Sequence, residues 1–564
     1  MRHSHSRRDL LKVLGMAGAG AGLATQAPVQ DLVNLMLKDS LKKAHAAGAF
    51  VDTKYLLVAL HGSPPRWIFD QFLKTRPGEN ITANPAAHNR YVTGGGQYTQ
   101  TSYDTIAHPS GVLVPPLWGT TVPAAGGGVR PMASLLNHML TVRGYGTGID
   151  GHTANGAKQS NPLPAAGSVS GHMADNSSTL FKAAQFFGFG PYSGYSSRKG
   201  TSLTSIQYGG NEANHITRLL NPFGARVDSA ASTSLREKYK NEIDRAQGAL
   251  KEISRKDNFD SGVIAVDHTQ ALQKIKEGVA SLDARWPALL AKYVDLIRRS
   301  YLGRSSAGFD DLPVVNTTNG GGGIDHPSAV NVDQGAFFAA VNADIRPWFD
   351  QADFTPTAAG FALAEFILTE DLVSAYELYY YPPTNLRVAT AANGILTSSL
   401  IYDQHNTGVQ NGVFMNACLF RALSSCLLEL TDQLKAKNIF DKTVIHVTQD
   451  FGRLPRNTGG GSDHGFDAMI SSLITGKRTS GPMVLGNVLA SGTNGTFGAP
   501  YDMCFGYKAP TNVDGVSTML TPAHVTSTLA VLLGLPHNPW GNVAAPLVAL
   551  NGGAIVAKAD AVLV

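Results

Sequence analysis

Tyr55-Leu56-Leu57-Val58-Ala59-Leu60 runs directly into His61-Gly62-Ser63-Pro64-Pro65. A nearly continuous apolar run stopped by Gly and Pro reads as a strand buried on both faces, which places it centrally in a parallel sheet. The second half of the chain repeats the pattern. Thr443-Val444-Ile445-His446-Val447-Thr448 is another strand, ending at Gln449-Asp450-Phe451-Gly452, and 469–474 is a third. Helical patterns alternate with them. One covers 413–437, and a second covers 522–533, with Thr521 as N-cap, Pro522 at the first position and Gly534 as the stop. Strands alternating with helices predict an α/β fold, a three-layer α/β/α core around a mainly parallel sheet. A helix at 29–46 and a core element at 135–142 are expected besides. The stretch 76–131, rich in Gly, Pro, Asn and Thr, reads as surface loops and hairpins.

The chain has 564 residues, of which only 16 % are charged, and 60 glycines, so long weakly charged loops are expected. Charge is about twice as dense over 236–304, where Leu272-Ile275-Val279-Leu282 and Leu289-Tyr293-Leu296 recur at helical spacing. A solvated helical insertion over 230–305 accounts for this, and a partner-binding arm is the sharper alternative. At the other end, Ser6-Arg7-Arg8-Asp9-Leu10-Leu11-Lys12 precedes a small-residue and apolar stretch at 13–24. This resembles a twin-arginine export signal over 1–27, implying the twin-arginine translocase as a partner and a periplasmic or secreted destination. Arg2, Arg7, Arg8 and Lys12 against Asp9 supply +3 of the chain's net +4. The remainder is near neutral, which gives nucleic acid no footprint. No run of about 20 apolar residues follows residue 30, so no membrane span is expected in the mature chain. Of the three cysteines, Cys418 and Cys426 stand eight apart on one predicted helix, about 12 Å along its axis, too far to bridge. Buried free thiols are expected.

Ligands of an open α/β sheet gather at the carboxyl ends of its strands. Acids and imidazoles collect at four such places: His61, the Asp403-Gln404-His405 turn, Asp450, and the Gly-rich loop holding Asp463-His464. Each alone has a structural reading, since an Asp in a Gly-rich loop forms turns and a His at a strand end is often just hydrogen-bonded. Converging on one rigid edge, they match the nitrogen and carboxylate donors a divalent metal such as Zn²⁺ takes. Asp267-His268 and Asp325-His326 read as surface or capping pairs.

The stretch from Tyr402-Asp403-Gln404-His405-Asn406 through Thr448-Gln449-Asp450-Phe451-Gly452-Arg453-Leu454-Pro455 to Ser462-Asp463-His464 resembles the bacterial domain-of-unknown-function family fifteen-hundred-and-one. That family is similar to sulfatases and alkaline phosphatases. The resemblance covers 385–536, extends to 50–75 and 132–185, and implies an alkaline-phosphatase-like domain over 50–545 interrupted by the charged insertion. It implies a metal site of Asp403, His405 and His464 with Asp450, Asp463 or His61 nearby, occupied by Zn, Mn or Ca. Thr153 stands where the superfamily carries a nucleophile at a helix N-terminus, His152 is a base or ligand beside it, and Arg453 is a clamp for an anionic group. Two positions depart from the superfamily pattern: His61 replaces a metal-binding Asp, and Phe451 replaces an imidazole ligand. The implied function is an exported metal-dependent hydrolase acting on small phosphate or sulfate esters. The alternative is a catalytically degenerate binding or assembly protein of the same fold.

Overall fold

The computed structural model of the chain describes residues 52–71, 73, 89–92, 98–101, 106–177, 179, 181–187, 194–207, 284–301, 352–381, 383, 387–389, 395–397, 402–403, 409–455, 462–465, 469–489 and 507–561. The export signal, the 29–46 helix, His405, Cys504, both extra Asp-His pairs and most of the 230–305 insertion lie outside these residues.

Eight strands form the central sheet: β1 (Lys54–Leu60), β2 (Met139–Tyr145), β3 (Phe181–Phe187), β4 (Leu203–Gln207), β5 (Val373–Tyr380), β6 (Thr443–Gln449), β7 (Met469–Thr475) and β8 (Met483–Leu485). Their order is β4-β3-β5-β1-β6-β7-β2-β8. The first five are parallel, β7 is antiparallel to both β6 and β2, and β8 is parallel to β2. So β7 alone runs against the other seven. The apolar run that begins at Tyr55 sits between two parallel neighbours, as a strand buried on both faces must.

Among the described residues six helices accompany the sheet: α1 (His152–Ser160), α2 (Val169–Asp175), α3 (284–301), α4 (Thr355–Thr369), α5 (Val409–Ala436) and α6 (Pro522–Leu533). Leu56, Val58 and Leu60 of β1 share one apolar cluster with α3, α4 and α5. Tyr55 and Leu57 face the opposite way, into a cluster with α2 and α6. Alternate residues of one strand thus enter two cores, the three-layer arrangement. α6 begins and ends as its sequence dictates. Thr521 and His524 form a reciprocal cap at its start, and Gly534 adopts φ 64° past its end. Cys418 and Cys426 are buried free thiols on α5. Among the described residues of 76–131, three antiparallel strand pairs join Asn89–Val92 with Tyr98–Thr101, Ile106–Ala107 with Leu113–Val114, and Thr121–Pro123 with Val129–Pro131.

One expectation changes in detail. The core element at 135–142 divides into a 3-10 segment, Met132–His138, followed by β2. Over 284–301, the described part of the charged insertion is the helix α3, whose Trp286, Leu289, Tyr293, Leu296, Ile297 and Tyr301 are buried against α4 and α5. Lys292 fastens it there, with Nζ 2.6 Å from Glu365 Oε2 and 3.0 Å from Glu429 Oε1.

On β6, the imidazole of His446 is fully enclosed between the Tyr55 hydroxyl, 2.9 Å from Nδ1, and Ser471 Oγ, 2.9 Å from Nε2. Burial first, and the Arg66 charge second, push its pKa down to about 3. An unfolded chain takes up a proton at this residue near pH ~6.5, whereas the folded one does not. Stability is therefore expected to fall as pH drops from ~6.5 towards 3, by up to ~1.4 kcal/mol per unit. Urea midpoints at pH 7, 5.5 and 4.5 should decline, and His446→Gln should flatten that decline. Equal slopes in both proteins would contradict the assignment.

Candidate functional site

β1 and β6 are neighbours in parallel register, with Leu60 opposite Gln449. Their carboxyl ends are level, so His61 and Asp450 leave the sheet side by side. Beyond His61 the chain turns through Gly62 (φ 79°) and Ser63 (φ 54°). Gly62 is needed there because a Cβ would stand 2.9 Å from the Asp403 backbone nitrogen. Ser63 then ties the two strand ends together: its hydroxyl donates to Asp450 Oδ1 and accepts the Phe451 N–H at 2.7 Å.

After Phe451 comes a hairpin, Gly452–Pro455 with Ser462–Gly465, in which Arg453 stands opposite His464. Arg453 is completely buried. Its Nε donates to Ser63 O at 2.7 Å, and one terminal nitrogen donates to Asp403 Oδ1 at 2.5 Å and to the Gly62 carbonyl. The Phe451 and His464 rings are stacked 3.9 Å apart. From the other side α1 delivers His152 as its first residue, and the His152 ring meets both Phe451 and His464 edge to face.

Two contacts define what this cluster can do. His152 Nδ1 is bonded to Asp450 Oδ2, while its Nε2 lies 3.6 Å from Asp403 Oδ2. His464 Nδ1 lies 2.7 Å from Asp150 Oδ1. A carboxylate on Nδ1 fixes the ring proton there, so Nε2 is the atom each imidazole offers a metal. The donor atoms of His152, Asp403 and His464 all lie within 4.8 Å of one another. Donors at ~2.0–2.2 Å from a tetrahedral Zn²⁺ stand about 3.4 Å apart. The His152–Asp403 pair already has that spacing, and small side-chain adjustments close the rest. Two nitrogens and a carboxylate oxygen fit a divalent transition metal with a position left open.

Charge is paired within the cluster, and the His152 imidazole must give up a proton before its Nε2 can serve as a metal donor. Burial works to lower the His152 pKa, but its bonds to Asp403 and Asp450 prevail and raise it to about 9. Burial works to raise that of Asp403, but the His152 bond and the Arg453 charge hold its carboxyl well below the usual range. The His61 imidazole is pushed down, chiefly by burial, with Asp450 opposing.

Of the residues singled out in the sequence, Asp403 and His464 meet at this cluster. Asp450 is placed on Nδ1 of His152, where it orients that ring, and His61 shares a small cavity wall with it. His152, read as base or ligand, sits among the donors in the place expected of His405, which lies outside the described residues. Asp463 pairs through its backbone with Leu454, its side chain being outside the described residues. Thr153 occupies the exposed first turn of α1. Arg453 is the correction. Its guanidinium is completely buried on Asp403 and the Gly62 and Ser63 carbonyls, so it braces Asp403 and the 62–63 turn instead of clamping an outside anion. Ser63 and Asp150 escaped the sequence reading, although Asp150 stands two residues before His152 and Ser63 two after His61. Ser63 cannot serve as a triad nucleophile, because the carboxylate of Asp450 separates it from the imidazole that would have to take its proton. No family model, no curated protein and no solved structure matches the chain. No helix among the described residues is long and apolar enough to cross a membrane.

Proposed function

We propose that the chain is a metal-dependent hydrolase of small phosphate or sulfate esters, with an alkaline-phosphatase-like core, exported by the twin-arginine translocase to the periplasm or beyond. The observation that carries the reading is the pairing of two imidazoles, each with Nδ1 committed to a carboxylate, around Asp403. A divalent ion such as Zn²⁺, Mn²⁺ or Ca²⁺, when bound, supplies Lewis acidity to the ester oxygen. Asp403 and the two Nε2 atoms hold it, Asp450 and Asp150 orient the rings, and Arg453 fixes Asp403 from behind. Thr153 presents its hydroxyl at the exposed start of α1, where backbone N–H groups favour an anion. In this reading its oxygen, losing its proton to water, attacks the phosphorus or sulfur as the ester's alcohol departs, and water then hydrolyses the Thr153 ester.

A second reading, a degenerate centre that binds a metal to lock these loops, is favoured by one feature: the buried Phe451 ring stacked on His464, in a place the superfamily gives to a ligand. Metal analysis of protein purified without added salts, followed by aryl phosphate and aryl sulfate assays with Zn²⁺, Mn²⁺ and Ca²⁺, separates the two. The hydrolase reading expects close to one metal per chain and turnover that Thr153→Ala reduces by ~10³-fold or more with the metal retained. A metal-loaded chain inert on both ester classes supports the degenerate centre, and a metal-free, chelator-insensitive chain removes both readings.

A further inference from the structure

α1 is attached to the body through polar groups. Its sequence, His152-Thr-Ala-Asn-Gly-Ala-Lys-Gln-Ser160, has no apolar stripe, and the residues it buries are Asn155, Gln159 and Ser160. A helix of this kind gains little from hydrophobic burial and depends on the hydrogen bonds its buried side chains make. Asn155 Nδ2 donates to Ile149 O at 2.6 Å and Lys158 Nζ to Thr147 O at 2.8 Å, which ties the helix only to its own leading loop.

Gln159 reaches the sheet. Its Oε1 accepts from the Tyr145 hydroxyl of β2 at 2.7 Å, and that hydroxyl lies 2.7 Å from Ser471 Oγ on β7. Ser471 Oγ lies 2.9 Å from His446 Nε2 on β6, whose Nδ1 lies 2.9 Å from the Tyr55 hydroxyl on β1. A line of hydrogen bonds therefore crosses four adjacent strands and ends on α1. Every member is buried. Gln159 also lines the small cavity that Asp450 and His61 line. Seven residues are two helical turns, so Gln159 and His152 lie on the same face of α1.

We propose that Gln159 is the positioning residue of the metal site: anchored by Tyr145, it sets where α1 rests on the sheet and thereby where His152 presents Nε2. This rests on the metal reading above, and the test is chosen to tell the two apart. Gln159→Leu keeps the side-chain bulk, and Tyr145→Phe removes the same bond from the other side. In metal-free protein, amide exchange across 152–160 should accelerate about tenfold or more in each variant, with exchange in β1 unchanged. In wild-type protein that binds Zn²⁺, both variants should raise its Kd by about tenfold or more. The double variant should be no worse than Tyr145→Phe alone, because that change already removes the bond to Gln159 along with the one to Ser471. Accelerated exchange with an unchanged Zn²⁺ Kd overturns the positioning role. If the wild type takes up no Zn²⁺, the metal reading falls, and faster exchange over 152–160 still supports Gln159 as the residue that places His152. Unchanged exchange overturns it in either case.

Discussion

Asp403→Ala is expected to yield protein that carries no metal and is less stable by about 3 kcal/mol. The first effect follows from losing the only carboxylate among the three donors. The second follows from what the same carboxylate does on its other side, where it faces the fully buried Arg453. Deleting one partner leaves a guanidinium charge inside the protein, which costs ~3–5 kcal/mol for an enclosed pair. The lower figure applies because the Asp403 side chain keeps 24 % exposure and water can reach the gap. Asp403→Asn retains an acceptor for Arg453, so it should recover much of the stability while still losing most of the metal. Metal analysis and urea unfolding of the two variants give four numbers that must fit this pattern. Full metal content in Asp403→Ala would mean that the donors lie elsewhere.

Asp70→Ala should cost more, ~4–5 kcal/mol, without touching the site directly. Asp70 forms a doubly hydrogen-bonded pair with Arg66, and neither side chain has any exposure. Ser472 Oγ donates to the same carboxylate at 2.6 Å, and Arg66 also reaches the carbonyls of Val447 and Ile470 at 3.3 Å. The pair thus pins the segment after the 61–65 turn to β6 and β7. Replacing both charges, as Arg66→Met with Asp70→Leu, removes the unpaired-ion problem and should restore most of the loss. A double variant as unstable as the single one would show that the Arg66 carbonyl contacts, and not the charge pair, hold the segment.

The parts of this fold that were legible in sequence are those whose burial is uniform and bounded. β1 and β6 are short apolar runs closed by turn residues, and α6 carries its own start and stop. β5 is buried along its whole length yet reads Val373-Ser-Ala-Tyr-Glu-Leu-Tyr-Tyr380, so Ser374 and Glu377 break the run that would have announced it. α4 is buried at nearly every position, which erases the 3.6-residue contrast that marks a surface helix. The site divides along similar lines. Asp403, Asp450 and His464 stand out because acids and imidazoles at strand ends are conspicuous, whereas the place of His152 depends on a polar helix with no periodic signal. The role of Arg453 was hidden for another reason: its neighbour in sequence is Asp450, but its partner in space is Asp403, 50 residues away.

The reversed direction of β7 decides the order in which this site can come together. Because β7 returns antiparallel beside β6, the chain between them needs no crossover to the far end of the sheet. Asp450, Arg453 and His464 are delivered together by one short excursion, which closes a small loop at low entropic cost. The other contributors arrive from afar: Ser63 meets Asp450 across 387 residues and His152 meets it across 298. Contacts of such range carry a large loop-closure cost, and β1 meets β6 across the same separation, with Leu60 opposite Gln449. An ion held by His152, Asp403 and His464 would accordingly bind only once pairings of that range are made, so metal uptake followed in time would report the closing of the sheet.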